Sequence, residues 1–391
     1  MEEYTRHFRH VQLGNQAIEI EQRPEFSQWA EVSWAARLLF DAIATHNSVA
    51  RAVVWGCGNG ALAVALAPYA THIDAYDTHL VALELTRRAV ARNHARQIVV
   101  HDTISALPES ARMIDLVACE APPNRQLARR LLVEAHELLR PQGRLYLAGA
   151  NHAGIQPIIR DAHELFGNLT PLAIRQRHRS VLFERTAPQA LPDWAMASGI
   201  APGSQLRFTV QVGGESFDIH SLPGVFAHDH LDSGSALLIE ALATLDRIRD
   251  SRVVDIGCGY GIIGLVAAKR GAAWVDLLDV NLLAVAAATA TLKANGVTQA
   301  AVLASDGLQA VSDRRYDLAL MNPPFHSGKA IDYELPRRFI TQAHEALQPG
   351  GRLMLVANSF LRYERLMREL FAEVSCLAEN RSYQVWLGRK Q

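Results

Sequence analysis

Short apolar runs rich in β-branched residues alternate with longer amphipathic stretches along most of this chain. In the second half the pattern predicts strands over 252–256, 274–278, 301–304, 318–321 and 352–357. Between and after them it predicts helices over 262–269, 282–294, 336–347 and 363–371, with Asn295-Gly296 as a C-terminal stop. Runs at 374–377 and 384–387 would close the sheet as a hairpin. Repeated βαβ units imply a mainly parallel sheet with helices on both faces.

The first half repeats this plan. Val53-Val54-Trp55-Gly56-Cys57-Gly58-Asn59-Gly60 echoes Val253-Val254-Asp255-Ile256-Gly257-Cys258-Gly259-Tyr260-Gly261. An acid follows each at similar spacing, Asp77 and Asp279. Ala91-Arg92-Asn93 matches Lys293-Ala294-Asn295, and Ile114-Asp115-Leu116-Val117 matches Tyr316-Asp317-Leu318-Ala319. Ala135-His136-Glu137 matches Ala343-His344-Glu345. The expected fold is α/β, two Rossmann-like domains in tandem that arose by duplication. The expected boundaries are 1–188 and 205–391, with 189–204, rich in Pro, Ala, Ser and Gly, as linker.

The chemistry concentrates in the second copy. Gly257, Gly259 and Gly261 lie between a strand and a helix, where glycines permit a tight turn and close approach of a ligand. Asp279 ends the next strand, where a carboxylate can accept from ribose hydroxyls. Asp306, ending the third, is either an acceptor for an adenine amino group or a turn residue. The fourth strand ends in Asn322-Pro323-Pro324-Phe325-His326. Two prolines stop the ladder, leaving an amide and a ring at the ligand-binding end of the sheet. The Asn322 oxygen and the Pro323 carbonyl could accept both N–H bonds of an exocyclic amine, and Phe325 could stack on its ring. His326 could touch the base or a phosphate, or cap the loop through the backbone.

Composition narrows the setting. Hydrophobic residues make up 49% of the 391 and charged residues 20%, with net charge −1, so no global basic signature marks a nucleic-acid binder. No apolar run approaches the ~18 residues of a membrane span. The amino-terminal residues lack an export pattern, and four scattered cysteines lack metal spacing. A cytoplasmic monomer with reduced thiols and no metal is expected. Arginine is locally dense, at Arg87, Arg88, Arg92 and Arg96, at Arg125, Arg129 and Arg130, and at Arg175, Arg177 and Arg179. These are either solvated faces or a phosphate-contacting surface.

The glycine loop, Asp279 and Asn322-Pro323-Pro324-Phe325 resemble class I S-adenosylmethionine-dependent methyltransferases that modify amino groups. Leu222-Pro223-Gly224-Val225-Phe226 and Leu231-Asp232-Ser233-Gly234-Ser235 are similar to the bacterial ribosomal RNA guanine-N2 methyltransferases, the group formed by the small-subunit methyltransferase C and large-subunit methyltransferase G enzymes. The resemblance covers nearly the whole chain. It implies two mainly parallel seven-stranded sheets and S-adenosylmethionine bound in the second domain. It also implies ribosomal RNA or a ribosomal subunit as partner, and methylation of a guanine N2 amine. Asp255, Phe226, Asp232 and Gly234 would then lie with the donor-binding residues. For the last three, a helix-capping turn after a buried Phe is the competing reading. Methylation of adenine N6 or of a protein glutamine is the enzymatic alternative, and a non-catalytic RNA-binding assembly factor is another.

The first copy departs from this pattern. Its loop reads as one residue shorter, with Trp55 in place of Asp255-Ile256. Glu120 replaces Asn322 and Asn124 replaces Phe325. This copy is expected not to methylate, with Asp77 and Asp102 leaving residual donor binding conceivable, and to position RNA or give structural support.

Overall fold

The structure is a computed structural model describing residues 7–23, 26, 29–105, 113–186, 190–245, 248–323, 326–327, 330–331 and 334–391. The chain divides into two compact units, Met1–Ser204 and Gln205–Gln391.

The first unit runs β1 (His7–Leu13), β2 (Gln16–Gln22), α1 (Trp34–Ile43), β3 (Val49–Trp55), α2 (Ala61–Ala65), β4 (Ala70–Tyr76), α3 (Leu80–Arg92), β5 (Ile98–His101), β6 (Ile114–Glu120), α4 (Arg125–Leu138), β7 (Leu139–Ala150), α5 (Ile155–Phe166), β8 (Thr170–Arg175) and β9 (His178–Glu184). The second repeats it with β10 (Leu206–Val212), β11 (Glu215–Ser221), α6 (Ser233–Leu242), β12 (Arg252–Ile256), α7 (Ile262–Lys269), β13 (Trp274–Asp279), α8 (Leu282–Ala294), β14 (Ala300–Ala304) and β15 (Tyr316–Met321). It then adds β16 (His326–Ser327) and β17 (Ala330–Ile331), and closes with α9 (Glu334–Ala346), β18 (Leu347–Asn358), α10 (Tyr363–Arg368), β19 (Glu373–Glu379) and β20 (Tyr383–Arg389).

Each unit holds a seven-stranded sheet, in the orders β5-β4-β3-β6-β7-β9-β8 and β14-β13-β12-β15-β18-β20-β19. Five strands are parallel, and the last two join antiparallel. The parallel strands are covered on both faces, which is why Val253, Val254, Leu318, Leu320 and Leu355 form near-continuous apolar runs. The order reverses beside β12 and β15, so their carboxyl ends frame the crevice where ligands bind in such sheets.

Sequence reading missed the two-stranded hairpins β1–β2 and β10–β11. Their signal is period-two alternation around Gly14-Asn15 and Gly213-Gly214. The repeated Asn, the C-cap of α3 in one unit and of α8 in the other, ties each hairpin to the neighbouring helix. Asn93 Nδ2 donates to Glu19 O at 2.8 Å, and Asn295 Nδ2 to Asp218 O at 2.7 Å.

Residues 190–204, expected as linker, group with the first unit. Ala195 and Ile200 are buried, and buried Arg130 donates to Gly199 O at 3.0 Å and Ser204 O at 3.2 Å. Small residues there serve close packing rather than freedom.

Candidate functional site

The glycine loop of the second unit is pinned from below. Gly257 and Cys258 both donate to Leu278 O, at 2.8 and 3.0 Å. Gly257, Gly259 and Gly261 have φ of +74°, +56° and +88°, a region that costs side-chain-bearing residues about 1–2 kcal/mol. A Cβ at Gly261 would meet Ala288 at 3.0 Å, whereas one at Gly257 or Gly259 would meet nothing within 4 Å. Open space therefore lies above the first two glycines.

Asp279 faces that space. Its Oδ2 accepts from Gly259 N at 2.9 Å and its Oδ1 from Asn281 N at 2.9 Å. Burial pushes its carboxyl up to about 6, against the backbone N–H groups that favour the charge. Asp255, expected with the donor-binding residues, is instead fully buried beneath the loop. Its Oδ2 accepts from Gly264 N at 2.8 Å, at the first turn of α7. Burial, with the nearby Asp279 charge, pushes it up to about 7. From its place in β12 it props the first turn of α7 from under the loop.

This gives a pH-dependent stability. The folded-state pKa of Asp255 lies above the unfolded value of about 3.9. Its contribution is therefore complete below pH ~4 and lost as pH rises through about 7. Asp255→Asn keeps an acceptor for Gly264 and cannot ionise. It should gain about 1–3 kcal/mol relative to wild type at pH 8 compared with pH 5. Thermal unfolding at the two pH values checks this, and an unchanged difference between them would contradict it.

Asn322 follows β15, partly buried, and Pro323 is buried. Its Nδ2 donates to Asp232 Oδ2 at 3.1 Å and Ser235 Oγ at 2.9 Å. Asp232 is the N-cap of α6, its Oδ2 also accepting from Ser235 N at 2.9 Å. Both amide hydrogens are thus spoken for, which leaves the oxygen as the face open to a donor. A Cβ on Gly234 would stand 3.0 Å from Asp232 Oδ2 and 3.1 Å from the Tyr383 ring, so this close approach needs glycine. Tyr383, absent from the sequence-derived set, therefore borders the site.

Other expected residues divide. Phe226 is 63% exposed rather than buried. Its loop is tied down by Asn281 Nδ2 on Gly224 O at 2.9 Å and Tyr260 OH on His230 O at 3.0 Å. Asp306 is buried and engaged by the Arg338 guanidinium, with Gln309 Nε2 at 3.2 Å, so its carboxylate already serves an internal pair. Phe325 lies outside the described residues. The His326 backbone pairs with Ile331 in the β16–β17 hairpin.

The first unit reproduces the frame. Gly56, Gly58 and Gly60 have φ of +74°, +55° and +83°, and Gly58 N donates to Asp77 Oδ2 at 3.1 Å. The two loops are therefore equal in length, which corrects the shorter reading. Sheet register places Trp55 where Ile256 stands and Val54 where Asp255 stands. Trp29 covers Gly58, its ring 3.3 Å from a Cβ there. A cavity of about 290 Å³ remains among Trp29, Ser33, Trp55, Asp77 and Glu120. At the strand end the chemistry is inverted. Glu120 Oε2 accepts from Ser33 Oγ at 2.7 Å, and Ser33 caps α1 as Asp232 caps α6. Burial pushes Glu120 up to about 7.

Most of the dense arginines in this unit are consumed internally. Arg87 pairs with Asp102, Arg88 with Glu21, Arg92 with Glu19, and Arg125 and Arg129 with Asp161. Among the described residues no His, Cys, Asp and Glu group is placed to hold a metal ion. Nor is any described helix long and apolar enough to cross a membrane.

The methyltransferase small domain family matches the chain twice, over residues 17–180 and 216–387. The ribosomal RNA small subunit methyltransferase C of Pseudomonas entomophila is 35% identical over 72% of this chain and 80% of its own length. That of Vibrio vulnificus is 31% identical over 76% and 85%. The chain belongs to the ribosomal RNA small subunit methyltransferase C family. A solved structure similar to it end to end is a T. thermophilus 16S rRNA N2 methyltransferase in complex with AdoMet and guanosine. It has a TM-score of 0.81 and 27% identity over 98% of both chains. Membership accounts for the tandem units and their paired seven-stranded sheets.

Proposed function

We propose that the second unit transfers a methyl group from S-adenosylmethionine to the exocyclic N2 amine of a guanine in small-subunit ribosomal RNA. The observation that carries this is the Asn322 amide, its hydrogens fixed on Asp232 and Ser235 and its oxygen left to accept. The family's rRNA methyltransferases and the AdoMet- and guanosine-bound neighbour support the reading.

The residues fit the donor. The space above Gly257 and Gly259, which a Cβ would enter freely, gives it a cradle. Gly257, Gly259 and Asp279 would hold it, with the Asp279 carboxylate accepting from ribose hydroxyls. When bound, S-adenosylmethionine would supply an electrophilic methyl group, its S–CH3 bond breaking as the N–CH3 bond forms, with the thioether S-adenosylhomocysteine as leaving group and one amine proton lost to solvent. Asn322 Oδ1 and the Pro323 carbonyl would accept the two N–H bonds of the amine and aim the nitrogen lone pair. Phe325 would stack on the base, and His326 would contact it or its phosphate. Positioning alone supplies most of the acceleration.

Asp232 acts through Asn322. Without its carboxylate the amide is free to turn over and present N–H groups to an amine that needs acceptors. Asp232→Ala should lower kcat about 10–100-fold with donor affinity unchanged, and Asp232→Asn should restore most of it. A loss of donor affinity instead would place Asp232 among the donor contacts.

The first unit is proposed not to methylate. Trp29 stands over its middle glycine and narrows the space there, and Glu120 offers no fixed amide oxygen. Donor and acceptor groups all lie in the second unit, which fits a monomer acting in the cytoplasm, where ribosomal RNA is found. Incubating purified protein with ribosomal RNA and labelled donor, then digesting to nucleosides, tests the proposal. N2-methylguanosine is expected; N6-methyladenosine, or no labelled nucleoside, would overturn it.

A further inference from the structure

The second unit carries its own exposed cations beside the site. The loop after β18 and the β19–β20 turn lie side by side, with Ser359 N donating to Ser382 O at 2.9 Å and Ser359 Oγ to Arg381 O at 3.4 Å. They gather Phe360, Arg362, Arg381 and Tyr383 at the carboxyl end of β18, the end at which Asn322 follows β15. Phe360 is 58% exposed, and Arg362 and Arg381 are exposed with no carboxylate partner among the described residues. The turn is shaped in advance, since Asn380 Oδ1 accepts from Ser382 N at 2.9 Å and Tyr383 N at 2.8 Å. Tyr383 links it to the chemistry, because its ring packs on Gly234 next to Asp232, which holds Asn322.

We infer that this cluster binds an unpaired RNA strand flanking the target base, an inference that rests on the proposed activity. Two guanidinium groups suit phosphate oxygens. An exposed ring needs the open face of an unstacked base, which a duplex does not offer. Continuity from Phe360 through Tyr383 to Asn322 gives the strand a path to the site. In the first unit the arginines expected to do this are mostly held by their own acids.

The test uses the full-length protein and a fluorescein-labelled single-stranded RNA of about 15 nucleotides, with the same sequence annealed as a duplex. Wild type should prefer the single strand. Arg362→Gln/Arg381→Gln should bind it about tenfold more weakly and lower the log–log salt slope by about 1.4, the value for two phosphate contacts. Phe360→Ala should weaken binding about fivefold or more with the salt slope unchanged. Donor affinity and thermal unfolding should match wild type, which separates the effect from misfolding. Wild-type affinity and slope in both variants, or preference for the duplex, would overturn the inference. Failure of wild type to methylate guanine would overturn the proposed activity while leaving this binding result readable.

Discussion

Asn322→Ala should reduce methyl transfer at saturating donor and RNA by about 10²–10³-fold or more, with donor affinity within about twofold of wild type. The side chain is anchored on its nitrogen by Asp232 and Ser235, so its oxygen is presented without rotational freedom. Truncation removes the acceptor that would orient the amine and leaves the glycine loop and Asp279 as they are. The loop's own bonds, to Leu278 O and Asp279, do not involve Asn322. Single-turnover transfer and calorimetric titration of the donor separate the two effects. Unchanged turnover would remove Asn322 from the mechanism.

Asp279→Ala should weaken donor binding by about 10–100-fold or more, since hydrogen bonds to a charged group contribute about 1.5–3 kcal/mol each. The substitution also releases Gly259 N and Asn281 N, which Asp279 holds at 2.9 Å each. The loop would lose its shape along with the ribose acceptor. With a carboxyl raised to about 6, wild-type donor affinity should fall as pH drops through that value, and the variant should lose this dependence. Titration should show one donor site per chain in wild type and no site of wild-type affinity in Asp279→Ala, because Trp29 covers Gly58 in the first unit. A site that keeps wild-type affinity in the variant would assign donor binding to the first unit.

The parallel core was legible because buried strands and helices leave strong local patterns. The predicted runs at 252–256, 262–269 and 282–294 coincide with β12, α7 and α8. The hairpins preceding each sheet carry plain alternation but have no place in the repeating βαβ plan, so sequence reading passes over them. Loop length in the first copy is misjudged when residue types are matched, Trp55 against Asp255. Backbone geometry, three glycines at positive φ, is the better guide, and it sets Trp55 against Ile256.

What the sequence hid were contacts between distant residues. Asn322 and Asp232 are ninety positions apart, and nothing local marks a helix cap as the anchor of a strand-end amide. Asp306 reads as a ligand acceptor or a turn residue until Arg338, 32 residues on, is found against it. The arginine clusters were visible as composition, but their partners Glu19, Glu21 and Asp161 come from other elements. The two copies are most informative side by side, and the structure deepens the contrast. The strand-end contact with the helix cap survives in both, as amide on carboxylate in one and hydroxyl on carboxylate in the other.

The most direct test is mass spectrometry of small-subunit ribosomal RNA from cells lacking this protein, complemented with wild type, Asn322→Ala or Glu120→Gln. The account predicts one N2-methylguanosine that disappears in the deletion, returns with wild type and Glu120→Gln, and stays absent with Asn322→Ala. Methylation restored by Asn322→Ala, or lost with Glu120→Gln while the protein remains folded, would contradict it.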